Sequence, residues 1–361
     1  MADSAAQDAT EQLLDLKLAF LAGEPPACVL ALARKDLVDL QLIWNSGYLA
    51  NLQVDRHQNS TYTTTILKRI ISEAELSSDA VSDELYEEFS QRMLSKAKDS
   101  LLNRMDHIYK EISFLSSTHD NTSSRLISVV ARLSCSSNML EGDTGCSLWP
   151  SSLFLSEFIL SYPKIFSTKC CFELGSGVGL VGICLNYVGA SKVILTDGDT
   201  STLTNMKENM KLNNLCIEQE DSKVLKESKN KVECNYLSWE EVSESDLSAY
   251  QPDIVLGADI IYDPVCVPHL VQVLSMLLRP DRRQGKTNGK SGDECETEGP
   301  VAYIATVVRN AETFNCFAKA AADAKLYAVN ITSSAAPSNF LPYMLSYDRS
   351  NVQLLKITLL S

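Results

Sequence analysis

The first third of the chain has apolar residues at helical spacing. Leu14, Leu18 and Leu21 recur every three or four residues, and Gly23 followed by a pair of prolines ends this first predicted helix. A second apolar stretch near residues 29–52 has the same character. These patterns predict helices that bury one face each.

A longer helix is predicted to begin after Ser82. Serine is a favourable N-cap, and the two residues that follow are acidic, as the positive end of the helix dipole prefers. The apolar stripe of this helix is predicted to comprise Leu85, Phe89, Met93, Leu101, Met105, Ile108, Ile112 and Leu115.

The polar run over residues 116–124 predicts a domain boundary. We therefore expect a helical N-terminal domain over residues 1–120. Two interpretations of it stay open: a bundle that simply packs on the rest of the chain, and a docking module for a protein substrate. The sequence does not separate them.

From about residue 126 the pattern changes to short apolar strands that alternate with helices. Such alternation favours an α/β domain, here residues 121–361, in which a mostly parallel sheet is covered on both faces. The segment 281–299 is charged and poor in apolar residues, which predicts a disordered insertion. The predicted strands are 170–174, 192–196, 232–237, 253–258, 301–308 and 352–360.

Composition narrows the function classes. The 361 residues include 32 Lys plus Arg and 46 Asp plus Glu, so the net charge is 32 − 46 = −14. A charge this negative argues against direct binding of nucleic acid and suits a basic protein surface or a small cationic ligand. No apolar stretch approaches the roughly 20 residues that a membrane span needs.

Cysteine and histidine usage adds to this picture. The eleven cysteines are an odd number, contain no C-x-x-C pair and lie mostly in apolar runs, which indicates reduced thiols. The four histidines are scattered and do not indicate a zinc site. The N-terminal residues have neither a basic region nor an apolar core, so we expect no secretory signal and a cytoplasmic protein.

The most informative turn reads ELGSGVGLVG over residues 173–182, between a predicted strand and a helix. Glycines there permit positive φ angles and a close approach of a ligand to the backbone. The G-x-G-x-x-G spacing alone suits a dinucleotide. Glu173, however, would repel a pyrophosphate, whereas the cationic end of S-adenosylmethionine tolerates a nearby carboxylate.

The next strand ends in Asp197. An acid at this position can accept hydrogen bonds from both hydroxyls of a ribose, in a nicotinamide dinucleotide as well as in S-adenosylmethionine. The alternative for Asp197 is a solvated turn residue, and that is our interpretation of Asp199.

Residues 252–264 read PDIVLGADIIYDP, an apolar strand that ends abruptly in Asp-x-x-Tyr-Asp-Pro. Ligands of open parallel sheets bind outside the carboxyl ends of the strands, so Asp259 and Tyr262 are expected to face the same crevice as the glycine turn.

In these features the sequence resembles the seven-stranded class I methyltransferases, and within them the Asp-x-x-Tyr group of protein-lysine methyltransferases. Residues 144–158 and 237–239 fit that group as well. With its helical extension, the chain is similar to the branch that methylates a lysine of eukaryotic elongation factor 2. The resemblance covers about residues 126–361.

The resemblance implies a fold, a cofactor and roles for individual residues. The fold would be a seven-stranded Rossmann-like methyltransferase domain, the cofactor S-adenosylmethionine and the partner a protein substrate, elongation factor 2. Asp259 and Tyr262 would shape the lysine channel, as catalytic residues. The residues implied to bind the cofactor are Trp149, Glu173, Gly175, Ser176, Gly177, Asp197, Trp239 and Ala258.

Several alternatives stay open at this point. Trp149, Trp239 and Tyr262 could each be ordinary core rings. The same fold could also serve a small-molecule or nucleic-acid methyltransferase, a nicotinamide-dependent oxidoreductase, or a binding module without catalytic activity.

Overall fold

A computed structural model describes residues 13–35, 41, 44, 60–76, 81–99, 107–117, 125–136, 144–216, 231–280 and 299–360. The chain forms two compact units. The first comprises residues 1–142 together with 339–347, and the second comprises residues 143–338 and 348–361. The predicted disordered insertion, 281–299, lies outside the described residues except for Gly299.

The first unit combines helices with a β-hairpin. Residues 13–21 are helical, and the following elements are α1 (Pro26–Lys35), α2 (Ser60–Leu76), α3 (Asp83–Asp99), β1 (His107–Ser117) and β2 (Arg125–Ser136). Strands β1 and β2 pair antiparallel along their whole length, with a register shift after Phe114. The expected helices at 13–21 and after Ser82 are confirmed, whereas most of the stretch 36–59 is outside the described residues.

The long apolar stripe predicted for one helix was wrong from Ile108 onwards, whereas its members Leu101 and Met105 lie outside the described residues. Ile108, Ile112 and Leu115 lie on β1, not on a helix. A spacing of four residues, as between Ile108 and Ile112, fits one face of a helix and equally one face of a strand, because four is a multiple of the strand period. The pairing with β2 decides the structure, and that information is not local.

The predicted boundary at residue 120 also needs correction. Ser116 and Ser117 of the polar run belong to β1, the paired strand β2 begins just after the run at Arg125, and the first unit extends to Gly142. Residues 339–347 also belong to this unit. The Tyr343 hydroxyl accepts the Ser113 N–H at 2.8 Å and donates to the Ser113 carbonyl at 3.0 Å, and the buried Glu24 carboxylate accepts hydrogen bonds from Ser346.

The second unit is built on a seven-stranded sheet of order β5-β4-β3-β6-β7-β9-β8. Its strands are β3 (Cys170–Leu174), β4 (Lys192–Asp197), β5 (Lys231–Tyr236), β6 (Ile254–Ala258), β7 (Val301–Val307), β8 (Leu326–Asn330) and β9 (Val352–Leu359). All strands are parallel except β9, which runs antiparallel to both of its neighbours.

Helices cover both faces of this sheet, as the alternating pattern predicted. They are α4 (Pro150–Ser161), α5 (Pro163–Phe166), α6 (Leu180–Tyr187), α7 (Thr200–Leu212), α8 (Glu244–Leu247), α9 (Val267–Leu277) and α10 (Ala311–Asp323). A core cluster between the sheet and two of them includes Phe172, Val255, Leu274 and Phe317. Among the described helices, none has both the length and the apolar character needed to cross a bilayer.

Six of the seven strands of this sheet follow the apolar runs of the sequence. The seventh, β8, was not predicted from the pattern, because four of its five residues are exposed and it lies at the sheet edge. The seven-stranded Rossmann-like sheet that the resemblance implied is confirmed. The strand order changes direction at β3, so the crevice for a ligand lies above the carboxyl ends of β3, β4 and β6.

Candidate active site

The turn between β3 and α6 uses glycines in the left-handed backbone region. Gly175, Gly177 and Gly179 have φ angles of 61°, 53° and 82°. Side chains other than glycine adopt such angles only at a cost. A Cβ on Gly177 would also lie 3.0 Å from the carbonyl oxygen of Gly145. The turn therefore exposes backbone to the crevice at a place where side chains do not fit.

Ser176 holds this turn against the neighbouring strand. Its N–H donates to the Thr196 carbonyl at 2.9 Å, its hydroxyl accepts the Thr196 N–H at 3.1 Å, and its carbonyl accepts the Gly179 N–H at 2.9 Å. The polar groups of Ser176 are thus engaged within the fold. Its expected contact with a cofactor stays a prediction, and its structural contribution is to brace the turn.

Asp197 ends β4 beside the glycine turn. One carboxylate oxygen accepts the Gly177 N–H at 3.1 Å, and the other accepts the Asp199 N–H at 3.1 Å. Burial raises the pKa of Asp197, and these two N–H groups oppose the rise. Each carboxylate oxygen can accept further hydrogen bonds. The carboxylate is therefore held rigidly next to Gly177 and can still accept hydroxyl groups from a ligand.

Asp199 has a different task. Its carboxylate accepts the Thr202 N–H at 2.7 Å and the Ser201 hydroxyl at 2.6 Å, which makes it the N-cap of α7. These hydrogen bonds lower its pKa. Asp199 is thus a structural turn residue, in agreement with our interpretation of the sequence.

Glu173 lies on β3 and is buried from solvent, with its Oε2 atom lacking any hydrogen-bond partner. Burial raises the pKa of Glu173 to about 8; a side-chain hydrogen bond with Ser176 opposes the rise, and the Asp197 charge adds to it. The side chain is therefore mostly neutral at pH 7 in the protein without ligand, so it does not by itself repel a phosphate. An unpaired buried carboxyl oxygen is costly, and a cationic group placed beside it would satisfy it.

Trp239 and Ala258 flank the glycine turn. The half-buried Trp239 packs on the core cluster, and its Cζ2 atom would lie 3.6 Å from a Cβ placed on Gly175. The ring is therefore both a core contact and a wall of the turn. Ala258 ends β6 next to Ala305 of β7 and is half-buried.

Asp259 follows β6 in a left-handed conformation, with φ of 56°. Aspartate is one of the few residues that tolerates this region. Its N–H donates to the Ala305 carbonyl at 2.8 Å, and its Oδ1 accepts the Val307 N–H at 3.0 Å. Its Oδ2 forms an ion pair with Arg309, with 2.9 Å between Nη2 and Oδ2. These bonds turn the chain out of the sheet and fix the carboxylate at its upper edge.

Tyr262 is 62% exposed, so the alternative of a buried core ring is wrong. Partial burial raises the pKa of its hydroxyl, and the neighbouring Cys266 and Asp197 contribute to the rise. Asp259 and Tyr262 both come after the carboxyl end of β6, which ends at Ala258. The Asp-x-x-Tyr motif thus follows β6 as one short loop above the crevice.

Comparison with known proteins identifies the domain that carries this arrangement. Residues 130–284 match a family model described as lysine methyltransferase. This segment, which is less than half of the chain, is therefore similar to the lysine methyltransferase family. After this resemblance, we refer below to residues 143–338 and 348–361 as the methyltransferase unit.

Two curated relatives extend the comparison. The chain is 36% identical over 230 residues to an uncharacterized protein of Dictyostelium discoideum, a match that spans 60% of this chain and 59% of that protein. It is 28% identical over 257 residues to the human protein-lysine N-methyltransferase EEF2KMT, and this match spans 71% of this chain and 68% of that protein. The chain thus covers less than two thirds of the Dictyostelium relative.

Solved structures are more distant. A SAM-dependent methyltransferase from Streptococcus mutans aligns with a TM-score of 0.40 and 10% identity, over 77% of this chain and 67% of that chain. The strand order with one antiparallel strand agrees with the seven-stranded sheet that the resemblance to class I methyltransferases implied, and that resemblance also implied S-adenosylmethionine as the methyl donor.

The residues of the methyltransferase unit fit this donor. The unpartnered Oε2 of Glu173 suits a cationic group, the Asp197 carboxylate suits a pair of hydroxyls, and the glycine turn leaves room for both. Within the described residues, no group of three or more His, Cys, Asp or Glu side chains is placed to hold a metal ion.

Sequence reasoning missed Arg309. Besides its ion pair with Asp259, its guanidinium carbon lies 5.2 Å from the centre of the Trp149 ring, a cation–π contact. The Trp149 Nε1–H donates to the Thr144 carbonyl at 2.9 Å. One signal could have found Arg309: it lies just after the carboxyl end of β7, as Asp259 lies just after β6, and Asp197 is the last residue of β4.

Proposed function

We propose that the protein is a protein-lysine N-methyltransferase that transfers the methyl group of S-adenosylmethionine to a lysine amine of a protein substrate. The observation that supports this most is the position of Asp259, fixed at the carboxyl end of β6 and adjoining the crevice that contains the glycine turn. A lysine methyltransferase needs a polar anchor at that place, where the acceptor amine meets the donor.

Cofactor binding is assigned to the rim of the sheet. The Asp197 carboxylate would accept the ribose hydroxyls, and Gly175 and Gly177 would let the ligand approach the backbone. Glu173 would face the cationic amino acid part of the cofactor. Trp239 would pack near the adenine ring, Trp149 would close over the cofactor, and Ala258 would contribute its backbone.

The acceptor amine must be neutral to react. S-adenosylmethionine supplies a methyl group activated by the positive sulfonium, so no covalent enzyme intermediate is needed. A free lysine has a pKa of about 10.4 and is almost wholly protonated at neutral pH. A narrow channel with little water lowers that pKa by disfavouring the ammonium form. Alignment and delivery of the neutral amine therefore account for most of the catalysis.

Asp259 and Tyr262 would shape this channel. The fixed Asp259 carboxylate can accept a hydrogen bond from the amine and orient its lone pair. The exposed Tyr262 ring can lie along the aliphatic stem of the lysine, with its hydroxyl within reach of the amine. Neither side chain is assigned as an obligatory general base.

The proposed substrate is elongation factor 2. This part of the proposal is supported by the resemblance of the sequence and by the name of the human relative. The net charge of −14 suits a basic surface on the partner. A cytoplasmic location belongs to the same proposal.

A methyl-transfer assay tests the proposal. Full-length protein is incubated with methyl-labelled S-adenosylmethionine and purified eukaryotic elongation factor 2, and the product is digested and sequenced by mass spectrometry. We expect label on a lysine of elongation factor 2, and none with the D259A variant, which should still bind the cofactor. Label found only in nucleic acid or metabolites of a cell extract would contradict the proposal.

A further inference from the structure

The carboxylate of Asp259 is paired before any substrate arrives. Its Oδ1 accepts the Val307 N–H at 3.0 Å and its Oδ2 accepts Arg309 Nη2 at 2.9 Å. The Asp259 side chain is only 6% exposed, whereas that of Arg309 is 44% exposed. A buried carboxylate thus carries its positive counter-charge on the side that opens toward solvent.

The same guanidinium contacts a second site residue. It lies 5.2 Å from the centre of the Trp149 ring, and Trp149 is held in turn by the Thr144 carbonyl. Arg309 therefore joins the loop after β7 to the residue that begins α4. Its planar group is suited to bond a carboxylate with one edge and stack on an aromatic ring with its face.

The pairing of Arg309 with Asp259 affects whether the lysine amine that accepts the methyl group is protonated. A lone carboxylate beside an amine stabilises the ammonium form, which does not react with the methyl donor. An adjacent guanidinium offsets that effect, because it neutralises the carboxylate and disfavours a second positive charge nearby. Asp259 can then orient the amine without keeping it protonated.

We propose that Arg309 is a positioning residue for methyl transfer, which neutralises Asp259 and fixes it with Trp149 so that the lysine enters as a free amine. This inference rests on the proposed function. The other ionisable side chains on strands β3, β4 and β7, in the loop after β6 and in the first turn of α10 include Cys170, Cys171, Glu173, Lys192, Asp197, Tyr262, Asp263, Cys266, Tyr303 and Glu312.

Two variants of Arg309 test the inference through the pH dependence of kcat at saturating cofactor and substrate. R309Q removes the positive charge, so we expect the acid limb of the profile to move to higher pH by about one unit. On that limb kcat is then tenfold lower than in the wild type, and at high pH it returns to the wild-type value. R309K retains the charge, so its acid limb should stay in place while kcat falls modestly from the lost ring contact.

The matched control is R279Q. Arg279 also pairs with a carboxylate, Glu244, but it follows the last residue of α9, the end of that helix that is remote in sequence from the Asp-x-x-Tyr loop. Its pH profile should equal that of the wild type. Thermal melting and calorimetric binding of S-adenosylmethionine, measured for all four proteins, show whether each variant is folded and loaded.

The outcomes separate the two proposals. If the wild type transfers no methyl group to a protein lysine, the proposed function fails and this inference with it. If the wild type is active and R309Q loses the same factor at every pH, or nothing at all, the proposed function stands and the inference is overturned. If R309Q does not fold, an unchanged acid limb in R309K supports the inference, and a limb shifted as far as one pH unit overturns it.

Discussion

At the scale of single residues, Glu173 has a buried carboxyl group whose pKa lies far above its ordinary value. Because the folded pKa of about 8 exceeds the ordinary 4.5, the native state binds more protons than the unfolded state between these pH values. This contribution to stability is fully present below pH 4.5 and is lost as the pH rises through 8. At alkaline pH the buried Glu173 carboxylate therefore lowers the free energy of unfolding unless a ligand provides a partner for it.

Replacing Glu173 by glutamine makes this visible. E173Q removes the titration but keeps the shape, so without ligand we expect it to match the wild type below pH 4.5 and to be more stable than the wild type above pH 8. The melting temperature of both proteins across this range is the measurement. Parallel curves for the two proteins would show that Glu173 is not the group responsible.

Asp197 gives a second prediction at this scale. D197A should weaken binding of S-adenosylmethionine ten- to a hundredfold, the loss of about 1.4–2.8 kcal/mol of charge-assisted hydrogen bonding. The control is D253A, because Asp253 also accepts a backbone N–H, from Cys170 at 2.7 Å, but lies at the amino ends of the strands. Calorimetry should show normal affinity for D253A. Unchanged affinity of D197A would reject the ribose contact.

At the scale of elements, the loop from β3 into α6 depends on backbone shapes that only glycine adopts readily. Gly177 has a φ of 53° and faces the Gly145 carbonyl, whereas Gly198, after β4, has no positive φ and more room. The two glycines therefore suit a paired comparison: the backbone conformation requires glycine at Gly177 but not at Gly198.

We expect G177A to lower the free energy of unfolding by about 1–2 kcal/mol, the cost of a left-handed alanine, and to weaken cofactor binding as well. G198A should change stability by less than about 0.5 kcal/mol. Urea unfolding of both variants measures the difference. Equal stabilities of the two variants would mean that the turn relaxes into another conformation.

At the scale of the whole molecule, the two units share the chain in an unexpected way. Residues 339–347 lie between β8 and β9 of the methyltransferase unit in sequence, but they belong to the first unit. Their side chains of Leu341, Tyr343 and Met344 are buried. A cut at residue 142 therefore leaves behind apolar groups that the removed unit covers.

A truncated chain of residues 143–361 should consequently aggregate or melt well below the full-length protein. A second truncation, in which residues 339–347 are replaced by a Gly-Ser linker, should be more soluble and should bind S-adenosylmethionine. Size-exclusion chromatography and thermal melting compare the two. A monomeric 143–361 chain with the stability of the full-length protein would contradict this account.

Much of the site follows from the sequence because its signals are local. Each signal is a short run of consecutive residues at the end of a strand. They are the glycine-rich turn after one strand, the acid at the end of the next and the Asp-x-x-Tyr loop after a third. The rule that parallel strands end at one edge then brings Gly177, Asp197 and Asp259 together without further information.

The tertiary structure alone decided the remaining features. The pairing of β1 with β2, the exposed edge strand β8 and the membership of residues 339–347 in the first unit all depend on partners distant in sequence. So does the ion pair of Arg309 with Asp259, which joins residues fifty positions apart. In this pair the guanidinium charge neutralises the Asp259 carboxylate. Local spacing fixes which face of an element is apolar, but only packing determines what each face meets.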